Sequence, residues 1–293
     1  MKTSKSHQKH LKCGAKMLDL TMPSVMAVLN ITPDSFSDGG QLFSDNIIDQ
    51  DRVLFVVKSM LKEGADIIDL GGESTRPGAD PVTVQQELDR VIPVLEVLSD
   101  NFDAVFSIDT SSPQVIQAAA DAGAHIINDV RALQRPKALD AAAATQLPVC
   151  LMHMQNQPQD MQQKPEYRDV VAEVIQFLQQ RKKDCIEAGI LSEQILLDPG
   201  FGFGKTLEHN LSLFEGLGKL AEQKHPIVIG VSRKSMIGQI LNADMNDRLI
   251  GSVTMALLAA QKIHHMGGSV ILRVHDVKET RQALNIWQAI EYK

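Results

Sequence analysis

The chain has 293 residues, 44% hydrophobic and 22% charged, an ordinary globular composition long enough for one large core or two small ones. A formal net charge of −7 argues against non-specific nucleic-acid binding, which needs a basic footprint, so any anionic ligand must be held by local cations. Cys13, Cys150 and Cys185 form no CxxC pair, which points away from a disulfide framework or thiolate zinc site and towards a reducing cytoplasm. No apolar run is long enough to mark a membrane span, and the basic N-terminus lacks the apolar core of a secretory signal. Residues 1–17 read as a flexible, solvated tail ahead of a single domain over 18–293.

Short Val- and Ile-rich runs then recur at 26–30, 66–70, 105–109, 125–129, 148–152, 194–198, 227–231 and 270–274. They lack period-2 alternation, as expected of parallel strands covered on both faces. Each is followed by a helical pattern, the clearest running over 47–63, 82–99, 112–122, 136–144, 167–188, 207–220, 246–266 and 277–290. Ser112-Pro113 marks a helix start, and Gly64, Gly123, Gly189 and Gly267 mark helix ends. Eight βα units in about 250 residues predict an α/β fold, a single (β/α)8 TIM barrel, over an open doubly wound sheet.

Active sites of such barrels lie at the C-terminal ends of the strands. The polar residues closing the runs are Asn30, Asp69, Asp109, Asn128, Asp129, His153, Asp198, Ser232 to Lys234, Arg273 and His275. An Asp or Asn after a strand often only caps a helix. Eight loops that all carry ionisable or amide groups offer more than capping requires, and converge as a polar ligand pocket needs. Two loops, Thr32 to Gly40 and Gly71 to Gly78, are rich in turn formers and carry Phe36 and Arg76, costly choices for passive tips.

Asp198 to Thr206 invites a phosphate-loop reading, but the register fails because Pro199 and Lys205 stand where glycines are needed. Its glycines are read instead as allowing backbone to approach a flat ligand, with Phe203 offering a stacking face. His264-His265 reads as a surface pair, since adjacent helical residues diverge and no carboxylate accompanies them.

Three segments carry a resemblance: Leu29 to Gly40 (LNITPDSFSDGG), Gly72 to Gly78 (GESTRPG) and Asp198 to Lys205 (DPGFGFGK). They resemble the signature segments of the dihydropteroate synthase family of pterin-binding barrels. The match continues through Ser107 to Thr110, Ile127 to Asp129, Met152 to Met154, Ser232 to Ser235 and Arg273 to Asp276. Two departures are a longer N-terminal extension and the absence of a glycine in Gln155-Asn156-Gln157.

The resemblance implies transfer of a dihydropterin-methyl group from 6-hydroxymethyl-7,8-dihydropterin diphosphate to 4-aminobenzoate. It implies that Asp109, Asn128, Asp198, Lys234 and Met152 hold the pterin, and that Asn30, Thr75, Arg76, Arg273 and His275 hold the diphosphate. Asn30 would also contact Mg2+, and Phe36, Pro77, Phe203, Lys234 and Ser235 would receive 4-aminobenzoate. The residues acting on the reacting groups would be Asp109, Asp198, Lys234 and Arg76. A pterin shows a donor face that two carboxylates can meet with charge-assisted bonds, and acceptors that an amide and an ammonium can satisfy. The arylamine is already unprotonated at neutral pH, so a dissociative substitution needs no strong general base. A homodimer through the late helices is expected from the family and from the apolar stretch Val253 to Ala260. Two alternatives remain open, a corrinoid-linked methyltetrahydrofolate transferase and a pterin-binding paralogue without activity. In the first, Arg76, Arg273 and His275 would lack a purpose.

Overall fold

A computed structural model describes residues 7–32, 43–44, 47–74, 82–156, 161 and 164–292. Eight parallel strands close into a barrel: β3 (Ser24–Asn30), β6 (Ile67–Gly71), β7 (Val105–Asp109), β8 (Ile126–Asp129), β9 (Val149–Met152), β10 (Ile195–Asp198), β11 (Ile227–Ile229) and β12 (Val270–Val274). Around the ring they follow chain order, and β12 pairs with β3 to close it. This is the predicted (β/α)8 barrel. The strands are buried almost throughout, which is why their sequences run apolar instead of alternating.

The helices are α1 (Gln50–Lys62), α2 (Val84–Asn101), α3 (Pro113–Asp121), α4 (Ala138–Thr145), α5 (Val170–Glu187), α6 (Leu207–Glu215), α7 (Leu217–Ala221), α8 (Ser235–Leu241), α9 (Leu249–His265) and α10 (Val277–Glu291). None of them is long and apolar enough to cross a membrane. Their inner faces and the outward strand residues form one large core, among them Val53, Val57, Leu95, Ile116, Val174, Leu213 and Leu284.

Three expectations about elements need correction. The helix expected from residue 47 begins at Gln50, where Asp49 accepts a hydrogen bond from Arg52 N at 3.1 Å; Ile47–Ile48 (β5) pairs instead with Phe43–Ser44 (β4). The helix expected over 207–220 is interrupted at Gly216, which ends α6 and precedes α7; a Cβ there would lie 2.7 Å from both γ-methyls of Val171 on α5. The short helix α8 was not anticipated.

The supposed tail is corrected most. His10–Cys13 (β1) and Lys16–Asp19 (β2) form an antiparallel hairpin around Gly14, whose φ of +60° suits a residue without a Cβ. Leu11, Cys13, Leu18 and Leu20 are buried against Met26, Ile67, Val105, Ile126, Cys150, Leu196, Val228 and Ile271. The hairpin therefore closes the barrel's N-terminal end, and Ser269 Oγ donates to the Leu20 carbonyl at 3.0 Å to fasten it. All three cysteines are buried free thiols.

Candidate active site

At the other end, Asp109 closes β7 and Asn128 pairs with it in register on β8. Arg273 reaches in from β12. Its Nε donates to Asp69 Oδ2 at 2.6 Å and its Nη2 to Asp109 Oδ2 at 3.0 Å. Asn128 Nδ2 donates to the same Asp69 oxygen at 3.1 Å. One guanidinium thus serves two carboxylates. Burial pushes the Asp109 carboxyl up to about 8; Arg273 opposes this, and the neighbouring Asp69 and Asp129 reinforce it. Burial also works against the charge on Arg273, but the Asp69 and Asp109 carboxylates outweigh it and leave that pKa raised.

Asp198 ends β10, where its Oδ1 accepts from Gly200 N at 2.7 Å; burial raises its pKa, with Lys234 the main opposing charge. Lys234 lies just before α8 and donates to the Phe201 carbonyl, its Nζ 4.5 Å from the Phe203 ring centroid. Burial lowers its pKa to about 8, against the pull of Asp198. Gly230 leaves the room these cations use: a Cβ there would lie 3.8 Å from Lys234 Nζ and 3.9 Å from Arg273 Cβ. Asn30 closes β3 beside Gly71, where a Cβ would lie 3.9 Å from Asn30 Oδ1 and 4.0 Å from Asp109 Oδ2. The predicted pterin residues and two of the diphosphate residues, Asn30 and Arg273, therefore share one mouth.

Met152 closes β9 and is 4% exposed. A cleft of about 220 Å³ opens beside it, lined also by Arg131, Gln134, Arg135, Met154 and Asn156. His275 Nδ1 lies 3.0 Å from Ser232 Oγ, and Ser235 is the exposed first residue of α8. Phe36, Thr75, Arg76 and Pro77 lie outside the described residues.

The sequence reading of the glycines in the loop after β10 is corrected. A Cβ on Gly200 would sit 1.8 Å from the His153 carbonyl oxygen, and one on Gly204 would sit 2.6 Å from that of Gln155. These glycines let the loop approach the protein's own β9 segment, and the Phe203 ring supports Lys234. Sequence reasoning also gave Lys205 no role. It is 3% exposed, and its Nζ lies 2.8 Å from the Gly200 carbonyl, 3.0 Å from that of Phe203 and 3.0 Å from His153 Nδ1. Burial brings Lys205 down to about 7 and His153 to about 3. His153 therefore belongs to the loop's support, packed edge-on to Phe177 at 5.0 Å, and not to the polar mouth. Asp129 likewise turns to local work, accepting from Ser111 Oγ, from Arg131 N at 2.8 Å and from Leu133 N at 2.8 Å.

Arg131 grips Glu73 with two nitrogens at 3.1 and 3.2 Å, and Arg135 lies 3.7 Å from it, fixing the start of the loop after β6. His264 and His265 pack edge-on to Trp287 at 5.3 and 6.3 Å, and His265 Nε2 lies 3.0 Å from Glu291 Oε1, so a carboxylate does accompany the pair, contrary to the sequence reading. Among the described residues, no group of three or more His, Cys, Asp or Glu could hold a metal ion.

A closed barrel whose mouth gathers two buried carboxylates, an amide, an ammonium and a guanidinium defines an enzyme for a small, polar, hydrogen-bonding heterocycle. The model of the pterin-binding enzymes matches residues 26–275. A dihydropteroate synthase of Escherichia coli K12 is 53% identical over 275 residues, 93% of each chain. The structure of the Yersinia pestis dihydropteroate synthase with a sulfonamide drug superimposes with a TM-score of 0.91 at 50% identity, over 97% of this chain and all of that one. That of Xanthomonas albilineans dihydropteroate synthase with 4-aminobenzoic acid gives 0.88 at 45%, over 98% and 99%. The chain belongs to the pterin-binding enzyme family, and within it to the dihydropteroate synthases.

Proposed function

We propose that the chain joins the methyl carbon of 6-hydroxymethyl-7,8-dihydropterin diphosphate to the nitrogen of 4-aminobenzoate. The observation that carries this reading is the convergence of Asp109, Asn128, Asp198 and Lys234 on one buried floor at the barrel mouth. The carboxylates face the pterin's donor edge and favour positive charge on its methyl carbon as the carbon–oxygen bond to diphosphate breaks. The amine then forms the carbon–nitrogen bond and releases a proton, while pyrophosphate takes the bonding electrons away. Lys234 and Arg273 supply local cations that the net charge of −7 denies globally.

Asn30 suits Mg2+ because its side-chain carbonyl offers an oxygen to a hard ion that keeps several waters and takes phosphate oxygens. Bound there, the ion would neutralise charge on the departing pyrophosphate. His275, Thr75 and Arg76 are assigned to the diphosphate, and Phe36, Pro77, Phe203 and Ser235 to 4-aminobenzoate. A homodimer is proposed through α9 and α10, whose Ile250, Leu258, Ile286 and Ile290 are exposed apolar residues. A cytoplasmic location fits three buried free thiols. Incubation with the pterin diphosphate, Mg2+ and 4-aminobenzoate should release dihydropteroate and pyrophosphate in equal amounts; neither appearing would overturn the reading.

A further inference from the structure

Asp69 stands on β6, two residues before its end, and is wholly buried. Its Oδ2 accepts from Arg273 Nε at 2.6 Å and Asn128 Nδ2 at 3.1 Å. Its Oδ1 and the hydroxyl of Ser107, its register partner on β7, find no hydrogen-bond partner among the described residues. A buried carboxylate is costly unless compensated. What compensates Asp69 is two side chains of the substrate site.

Their donor and acceptor roles follow. A guanidinium only donates, so the Asp69 oxygen that meets Arg273 is an acceptor, and Asn128 must turn its NH2 group towards it. The Asn128 carbonyl oxygen is then left on the far side of the amide, an acceptor for a ligand N–H. The plane of Arg273 is fixed in the same way, with Nε on one carboxylate and Nη2 on the other.

We propose that Asp69 is a positioning residue of the pterin pocket: without touching substrate, it locks the Asn128 amide in its acceptor orientation and sets the plane of Arg273. This rests on the pterin reading of the site. Asp69 has a second effect through charge. After burial itself and against Arg273, it is the first of the neighbouring carboxylates that keep the Asp109 carboxyl raised. Removing that charge should let Asp109 ionise at lower pH.

In Asp69→Ala no oxygen remains to accept from Arg273 Nε or from Asn128 Nδ2, so both side chains lose the partner that fixes them. The test is calorimetric titration of the full chain and this variant with the pterin diphosphate across a pH series. The variant should show a maximum affinity at least tenfold lower, and an acid limb displaced towards lower pH by roughly one unit. An unchanged maximum and limb would overturn the proposal, as would a lower maximum with an unmoved limb, which is what a packing defect gives. Should Asp69→Ala fail to fold, Asp69→Ser, whose shorter side chain leaves the place of Oδ2 empty, is read the same way. A wild-type chain that binds no pterin diphosphate would overturn the pterin reading and this proposal with it, whereas a binding wild type beside an unaltered variant would overturn the proposal alone.

Discussion

The Lys234 ammonium sits over the Phe203 ring, 4.5 Å from its centroid, while donating to the Phe201 carbonyl. The loop after β10 therefore holds a buried cation from two sides, and the ring face offsets part of its lost hydration. Phe203→Leu keeps an apolar side chain and removes that face. A loss of about 0.5–2 kcal/mol in pterin diphosphate binding is expected, read by calorimetry. Wild-type affinity in the variant would mean that the ring does not help to place Lys234.

Asp109→Asn and Asp198→Asn should each weaken pterin binding by about 2 kcal/mol or more, because an amide loses the charge-assisted bond and can present a donor to a donor. Folding should survive, since Arg273 retains Asp69 in the first variant and an amide oxygen can still accept from Gly200 N in the second. Titration of both variants beside circular dichroism checks this. Unaltered affinity in both would show that the ligand lies elsewhere.

The pH profile follows from two opposed shifts. Asp109, raised to about 8, ionises as the pH climbs through that value, and Lys234, lowered to about 8, loses its charge over the same range. Pterin affinity should be bell-shaped with its maximum near pH 8. Both shifts disfavour the empty fold. Between the ordinary carboxylate value and about 8, the folded state holds a proton on Asp109 that the unfolded chain has released, so stability falls as pH rises. Between about 8 and the ordinary lysine value, the folded state lacks a proton that the unfolded chain keeps on Lys234, so stability rises with pH. The gain in Tm on adding the pterin diphosphate should therefore be largest near pH 8, a result that thermal melts across the range can contradict directly.

Binding should be ordered, with the pterin diphosphate first. Arg76 is assigned to the diphosphate and Pro77 to 4-aminobenzoate, so an anion that holds the first places the second. A coupling of about 1–3 kcal/mol is expected. Equilibrium binding of 4-aminobenzoate with and without pterin, Mg2+ and pyrophosphate measures it, and equal affinities would show a preformed second pocket.

The barrel was legible because eight buried parallel strands leave eight unbroken apolar runs, and glycines such as Gly64 and Gly123 stop the helices where backbone φ turns positive. Asp109, Asn128, Asp198 and Lys234 were legible because strand ends and loop starts are where this fold presents side chains. Other features depend on contacts between residues far apart in sequence. Asp69 looks like any strand-end Asp until Arg273 arrives from 204 residues away. His153 looks like a mouth residue until Lys205, 52 residues on, covers it.

The hairpin did leave a signal: Leu11 and Cys13 alternate with exposed residues before Gly14, but two four-residue strands on a basic stretch resemble a tail. In the fold, Leu11 is wholly buried at the barrel's N-terminal end, in the same apolar cluster as Met26, Ile67 and Ile271. Leu11→Ala should therefore cost about 2–5 kcal/mol, as truncation of a fully buried leucine does when its surroundings cannot collapse. The substrate residues lie at the opposite end of the strands, so the variant's pterin affinity at low temperature should stay close to that of the parent chain. Urea unfolding gives the first quantity and calorimetry the second. A flexible tail would give neither loss nor change, so an unshifted unfolding midpoint in Leu11→Ala would contradict the capping role of the hairpin.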